Sequence, residues 1–410
     1  MRVQLTQRIL FMGLFLLTGM AALAQNNGRT STSVASDTTD VFRIEKLTES
    51  DASILFSYYS QDGNNSPVTG GIGTEQLTDL SSKIIVNLAL DDKNTISFDG
   101  GFDYYTSAST DNIDTYMSSA SRKDMRVHGN IGYSRKAMNG LTWGFKLGGS
   151  GEYDYTSLQF SGYVSKTSKD GNRTFGLSGQ AFIDRWSLIY PAELRGQNWV
   201  TTDQRRSYSV SGSFSQVINK RMQMSITADL VTQSGLLGTP FHRVFFRDQG
   251  TARVEQLPFN RLKIPVGIRF NYYVNELVLL RSYYRYYWDD WGIQGHTASL
   301  EVPLKLNRFF SIYPYYRFHT QSASTFFKPF GEHTTDVRYY TSDYDLSDLT
   351  SHDIGGGVRY SPAQGIGGLK LPGKRNRLLM LKEINFRYGH YTRTPSLKAN
   401  IFSFGMNFSF

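Results

Sequence analysis

The chain has 410 residues, 14% of them aromatic, 38 of them glycine and none cysteine, with a formal charge of +9 and a mean hydropathy of −0.37. The lack of cysteine excludes a disulfide framework, thiol chemistry and any cysteine-ligated metal. The basic excess is spread thinly along the chain, which argues against a nucleic-acid partner.

Residues 1–24 read as a secretory signal peptide. Arg2 and Arg8 flank the start of the apolar run 9–17, and Ala22-Leu23-Ala24 forms a small-residue cleavage site before Gln25. Its removal would lower the charge from +9 to +7 by the loss of Arg2 and Arg8. Residues 25–50, rich in Ser, Thr and Asp, read as a periplasmic tail. Beyond the leader no apolar run approaches the ~20 residues of a spanning helix. A secreted chain of this kind enters a membrane only as a closed barrel.

Residues 51–410 carry the pattern for one. Amphipathic stretches fall at 51–60, 81–91, 94–105, 124–135, 141–152, 156–166, 173–186 and 206–218. They continue at 221–232, 262–273, 277–288, 296–306, 309–319, 353–361, 378–391 and 399–410. The fold class predicted is all-β: a transmembrane antiparallel up-and-down barrel of about sixteen strands, within a range of fourteen to eighteen. Connections after even strands are short, apart from 362–377. Those after odd strands include the long segments 61–80, 106–123, 187–205, 233–261 and 320–352. Short periplasmic turns and long outer loops would place both termini in the periplasm.

Within strands the side chains sort by alternation. Ile84, Val86, Leu88 and Leu90, or Ile264, Val266, Ile268 and Phe270, are expected to face lipid. Asp99, Arg126, His128, Lys146, Glu152 and Asp229 take the opposite phase, because an Arg or Lys on the lipid face at mid-membrane costs ~2–4 kcal/mol. Pro265, Pro303 and Pro314 each delete a ladder hydrogen bond and are expected at strand ends or bulges. In the last strand Phe402, Phe404, Met406, Phe408 and Phe410 share one face. That amphipathic aromatic ending resembles the signal by which the barrel-assembly machinery recognises outer-membrane proteins.

Four groups carry candidate chemistry. Arg269, Arg281, Arg285, Lys305 and Arg317, with Glu301, Glu383 and Arg387 nearby, would line the pore. They form either a positive wall that favours anions or structural ion pairs that fill the interior. The run Trp288-Asp289-Asp290-Trp291 is either a sugar or cation site at the pore mouth, or an aromatic girdle followed by a turn. Asp343, Asp345, Asp348 and Asp353, with His352, crowd a long loop, and Asp62-Gly63-Asn64-Asn65-Ser66 another. Calcium favours such oxygens, but Pro67 stands where an EF-hand needs Gly and no distal Glu is in register, so solvated loops are the default and no metal is assigned. His242, His296, His319, His333 and His390 show no ligand spacing.

The fourth group is Asp103-Tyr104-Tyr105-Thr106-Ser107-Ala108-Ser109, which resembles the short motif at which bacterial flavin transferases attach FMN. Ser107 replaces the motif's glycine, and the resemblance would make Ser109 the acceptor, with Asp103 as the leading acid. No Gly-x-Ser-x-Gly elbow, His-Glu-x-x-His or phosphate-binding loop is present, so no enzyme is expected.

Four segments together resemble a family of predicted outer-membrane barrels of the Bacteroidota type. They are Gly70-Gly71-Ile72-Gly73-Thr74-Glu75, Thr106-Ser107-Ala108-Ser109, 284–291 followed by His296-Thr297, and Thr341-Ser342-Asp343-Tyr344-Asp345. The resemblance implies fold and a Gram-negative outer-membrane location. The reading is a porin-like passive channel or small-solute transporter with a basic lumen wall. Alternatives are a redox or scaffold barrel bearing covalent FMN, and a filled structural or adhesive barrel. Its expected partners are outer-membrane lipid and lipopolysaccharide, the assembly machinery and small, anionic solutes.

Overall fold

The computed structural model describes residues 49–106, 123–196, 200–370 and 378–410. The proposed leader, nearly all of the tail, and Ser109 lie outside the described residues. No helix among those described is long and apolar enough to cross a membrane.

The first nine strands are β1 (Asp51–Asp62), β2 (Leu77–Ala89), β3 (Asn94–Thr106), β4 (Lys123–Lys136), β5 (Leu141–Gly151), β6 (Tyr155–Thr167), β7 (Arg173–Ser187), β8 (Thr202–Asn219) and β9 (Met222–Gly235). A two-stranded ribbon, β10 (Arg243–Val244) and β11 (Arg253–Val254), stands apart from the main sheet. The wall resumes with β12 (Asn260–Tyr273), β13 (Leu279–Asp289), β14 (Gln294–Glu301), β15 (Leu304–Lys305), β16 (Phe310–Ile312) and β17 (Tyr315–Gln321). It ends with β18 (Leu349–Tyr360), β19 (Gly367–Lys370), β20 (Leu378–Arg393) and β21 (Leu397–Ser409). β1 pairs with both β2 and β21, so Phe56 lies between Ser82 and Phe404 and the sheet closes. The result is a closed antiparallel barrel of sixteen strand positions.

Three positions are built from two pieces. Pro303 divides β14 from β15 and Pro314 divides β16 from β17, since neither ring nitrogen can donate to a neighbour. β19 pairs with the start of β20, at Gly367–Leu381 and Lys370–Leu378, and so prolongs β18. The described part of the long connection, 362–370, therefore extends the wall along β20, and residues 371–377 lie outside the described residues. Pro265 departs from expectation, lying inside β12. The ladder to β9 passes from Lys263–Val231 directly to Val266–Ala228, while the ladder to β13 continues through Pro265 itself. An interruption on one side accommodates the missing N–H without a bulge.

Register fixes which face is which. Ala52, Ile54, Phe56 and Tyr58 stand level with Phe408, Met406, Phe404 and Phe402 on one face. On the other face, Arg387 of β20 reaches Glu301 of β14, and Lys146 of β5 reaches Asp99 of β3 at 3.6 Å. Those pairs skip over intervening strands, which is possible only across the concave interior. The ionic phase is thus lumenal and the aliphatic and aromatic phase is outward, as alternation predicts. Apolar side chains on the outside remain uncovered, with Leu158 and Phe175 more than half exposed.

Short turns crowd one end of the barrel and long segments the other. The buried apolar residues cluster at the long-loop end, in Val244, Phe246 and Tyr340, because the polar lumen offers no hydrophobic interior. Segments 63–76, 236–259 and 322–348 pack there as one plug. Arg243 Nη1 donates to Val68 O at 2.6 Å, and Phe245 lies 4.7 Å from Phe330, ring centre to ring centre. Gly71 has φ +89° and comes so close to the third segment that a Cβ would lie 2.7 Å from Ser342 O, so only glycine fits.

Candidate functional site

A cavity of about 410 Å³ lies inside the barrel beneath the plug. Arg261, Arg285, Arg317, His319 and Asp353 contribute from the wall, and Asp345 with Leu346 from the 322–348 segment closes the top. The short helical turn Tyr344–Leu346 is set by Asp343, whose Oδ1 accepts from Asp345 N at 2.9 Å. Asp345 is held in turn by Arg393 of β20, and Gln321 Nε2 donates to Asp345 O at 3.0 Å. The plug is thereby tied to the wall at the level where it covers the lumen.

The predicted basic wall divides into two levels. Toward the short-turn end Glu301 accepts from Arg281 at 2.9 Å and also from Arg387, so one carboxylate is shared by two guanidinium groups. Glu383 pairs with Arg359 at 3.5 Å and accepts from Asn407 Nδ2. Arg269 lies over the Tyr283 ring at 5.5 Å, and Lys305, near the short turns, is exposed. Higher up, Arg285 and Arg317 line the cavity, and among the described residues neither makes an ion pair. Arg261 is different: it grips Asp289, a residue 1% exposed, and sits 4.3 Å over the Trp291 ring.

Asp289 accepts from five donors: Arg261 Nε and Nη2, the Tyr287 hydroxyl at 2.9 Å, and the backbone N–H groups of Trp291 and Ile293. The carboxylate organises the turn. Trp291 is 3% exposed, donates Nε1–H to Asn260 O at 3.0 Å and meets Phe326 edge-on. It belongs neither to an outer girdle nor to an open sugar site, because the returning 322–348 segment covers it.

The acidic loop is also redistributed. Asp353 and His352 are on β18; Asp353 accepts from Tyr315 OH at 3.0 Å in the lumen, whereas His352 stacks outward on Tyr316. Asp348 is exposed. Asp62 accepts from Gln76, and Asn65 donates to Gly71 O, so that second oxygen-rich run is spent on its own turn. Asp343 instead meets His242 and Glu255, residues with no telltale spacing in sequence. Burial works against a charged His242 ring, but Glu255 and Asp343 outweigh it and hold its pKa above the ordinary value. Burial and the neighbouring Asp345 push Asp343 up to about 6.

Asp103, the leading acid of the flavin-like motif, is lumenal, with Oδ2 3.8 Å from His128 Nδ1. In the last strand Phe402, Phe404 and Phe408 lie in the outward phase, Phe402 packs on Tyr388 at 4.9 Å, and Phe410 pairs through its backbone with Ser50.

The class defined by these features is a sixteen-stranded barrel with an apolar exterior, a polar lumen and a loop plug. Over residues 89–366 the chain matches the DUF3570 family, described as a protein of unknown function, and it belongs to that family. No curated protein matches it. Among solved structures it is similar to a mutant of the ferric enterobactin receptor PfeA from Pseudomonas aeruginosa (11% identity, TM-score 0.44, covering 84% of this chain and 54% of the receptor). It is also similar to the outer membrane protein OpdK from the same organism (6% identity, TM-score 0.39, 88% and 98% covered) and to a bacterial polysaccharide outer membrane secretin (11%, 0.44, 88% and 98%). The chain spans about half the length of PfeA.

Proposed function

We propose that this barrel spans the bacterial outer membrane and passes small anionic solutes through its lumen, with the three-segment plug restricting the long-loop end. The membrane reading rests on the outward band. Soluble proteins seldom leave a large contiguous apolar surface exposed, whereas lipid requires one on a barrel exterior. In this orientation the short turns and both termini face the periplasm. Arg185 and Arg206 lie on the outward phase of β7 and β8 beside a surface groove, and in this reading they would meet lipopolysaccharide phosphates.

The observation that carries the solute preference is the pair of unmatched guanidinium groups, Arg285 and Arg317, in the cavity below Asp345. Asp345 is taken by Arg393 and Arg261 by Asp289, so two guanidinium groups outside any ion pair among the described residues face one such carboxylate, Asp353, and an excess of positive charge in a confined space raises the local concentration of anions. Arg281 and Arg387 contribute less, since they share the Glu301 carboxylate, which offsets one of their two charges. No enzymatic step is assigned to the lumen. The reading is tested by the reversal potential in a planar bilayer under a salt gradient. The wild type is expected to favour anions, and Arg285→Glu combined with Arg317→Glu to shift the preference toward cations. Identical reversal potentials for the two proteins would remove these residues from the conduction path.

The same plug supports a second reading, a structural barrel whose lumen stays closed. Reproducible insertion of the intact chain without conductance would favour it.

A further inference from the structure

The plug brings together three side chains that no single stretch of sequence holds. His242 immediately precedes β10 and Glu255 immediately follows β11, and Glu255 N–H donates to His242 O at 3.1 Å, so the ribbon sets them side by side. Gln256 and Tyr340 exchange backbone hydrogen bonds at 3.2 and 2.8 Å, and the Thr341 hydroxyl donates to Glu255. This second pairing delivers Asp343. His242 Nδ1 ends 3.5 Å from Glu255 Oε1 and 3.9 Å from Asp343 Oδ2. One ligand-type atom from each residue lies within 4.8 Å of the others.

His242 is 9% exposed, and its Nδ1 points between two carboxylates at ion-pair distance without meeting either at the length of a good hydrogen bond. An unsatisfied buried polar atom is costly, so its orientation calls for a partner. Metal–ligand distances near ~2.1 Å in a tetrahedral site place ligand atoms about 3.4 Å apart. The His242 separations approach that spacing. We propose that His242, Glu255 and Asp343 bind a first-row divalent metal ion, with Zn²⁺ as the reference ion, which clamps the 236–259 and 322–348 segments of the plug together.

The donor set selects the class of ion. One imidazole with two carboxylates suits zinc and its neighbours, whereas calcium prefers six to eight oxygens. Surrounding groups orient the ligands as metal sites require. Thr239 N–H holds Glu255 Oε2 at 2.6 Å, and Asp345 N–H holds Asp343 Oδ1. Asp345 adds a carboxylate nearby, with Arg393 as its cationic partner. Glu75 Oε2 is buried without a partner. The site lies in the plug and does not depend on what traverses the lumen.

The test uses the full chain, purified without a polyhistidine tag and stripped with chelator, and titrated with Zn²⁺ alone by calorimetry. The expected result is one Zn²⁺ per chain, resistant to excess Ca²⁺, with affinity weakened at least tenfold in His242→Ala and, independently, in Asp343→Asn. Heat-modifiable electrophoretic mobility identifies the variants that have folded as barrels, and whichever of the two folds carries the comparison. Absence of stoichiometric binding by the wild type, displacement by Ca²⁺, or wild-type affinity in the folded variants would overturn the site and leave His242 as the cation of an ion pair.

Discussion

At the scale of single residues, the most constrained groups lie where the wall meets the long loops. Asp289 is buried with five donors around it, and removing it strands the Arg261 charge beside Trp291. Asp289→Ala is expected to cost about 3–5 kcal/mol, the usual penalty for breaking one half of a buried pair. Denaturant unfolding of the folded barrel in detergent checks this, and a loss below 1 kcal/mol would deny the carboxylate its organising role. Asp154, in the turn between β5 and β6, has the opposite character. Burial, and then the Asp124 and Glu152 carboxylates, push it from 3.8 up to about 6. Its folded pKa lies above the unfolded one, so its contribution is fully favourable below pH 3.8 and lost as pH rises through about 6. Asp154→Asn should therefore stabilise the barrel at pH 8, by about 1 kcal/mol once solvent screening of this half-exposed group is allowed for, and have little effect at pH 3.5. Equal effects at both values would contradict this assignment.

At the scale of elements, strands and plug differ in how they are encoded. A strand is legible because the wall asks only for local alternation, so 173–186 was readable from its own residues and the structure extends it by one residue, to Ser187. β8 begins earlier than its apolar pattern, at Thr202 rather than 206, because pairing with β7 carries polar residues into the ladder. The plug could not be read this way. Arg243 meets Val68 across 175 residues, and Thr341 meets Glu255 across 86, contacts with no periodic signature. His242 therefore looked like an isolated histidine, and Trp291 looked like girdle. The one local clue was Gly70-Gly71, both at positive φ, whose meaning needs the partner segment. Gly71→Val forces a branched side chain against Ser342 O and should displace the 322–348 segment. Limited proteolysis is expected to cut that segment faster in the variant, while a wild-type digestion pattern would show that the close approach is dispensable.

At the scale of the whole molecule, the barrel separates two jobs. Sixteen strands enclose enough space for an aqueous path, and the apolar residues that would pack the core of a soluble protein lie on the outer face of the barrel and inside the plug. In the proposed function, restriction of the path belongs to the loops of the plug. The most direct measurement is single-channel conductance in a planar bilayer, comparing the intact chain with a variant whose residues 326–340 are replaced by a short Gly-Ser linker. Stable steps that are several-fold larger in the shortened variant are expected. Equal conductance in the two proteins would contradict this, because the plug would then play no part in closing the lumen.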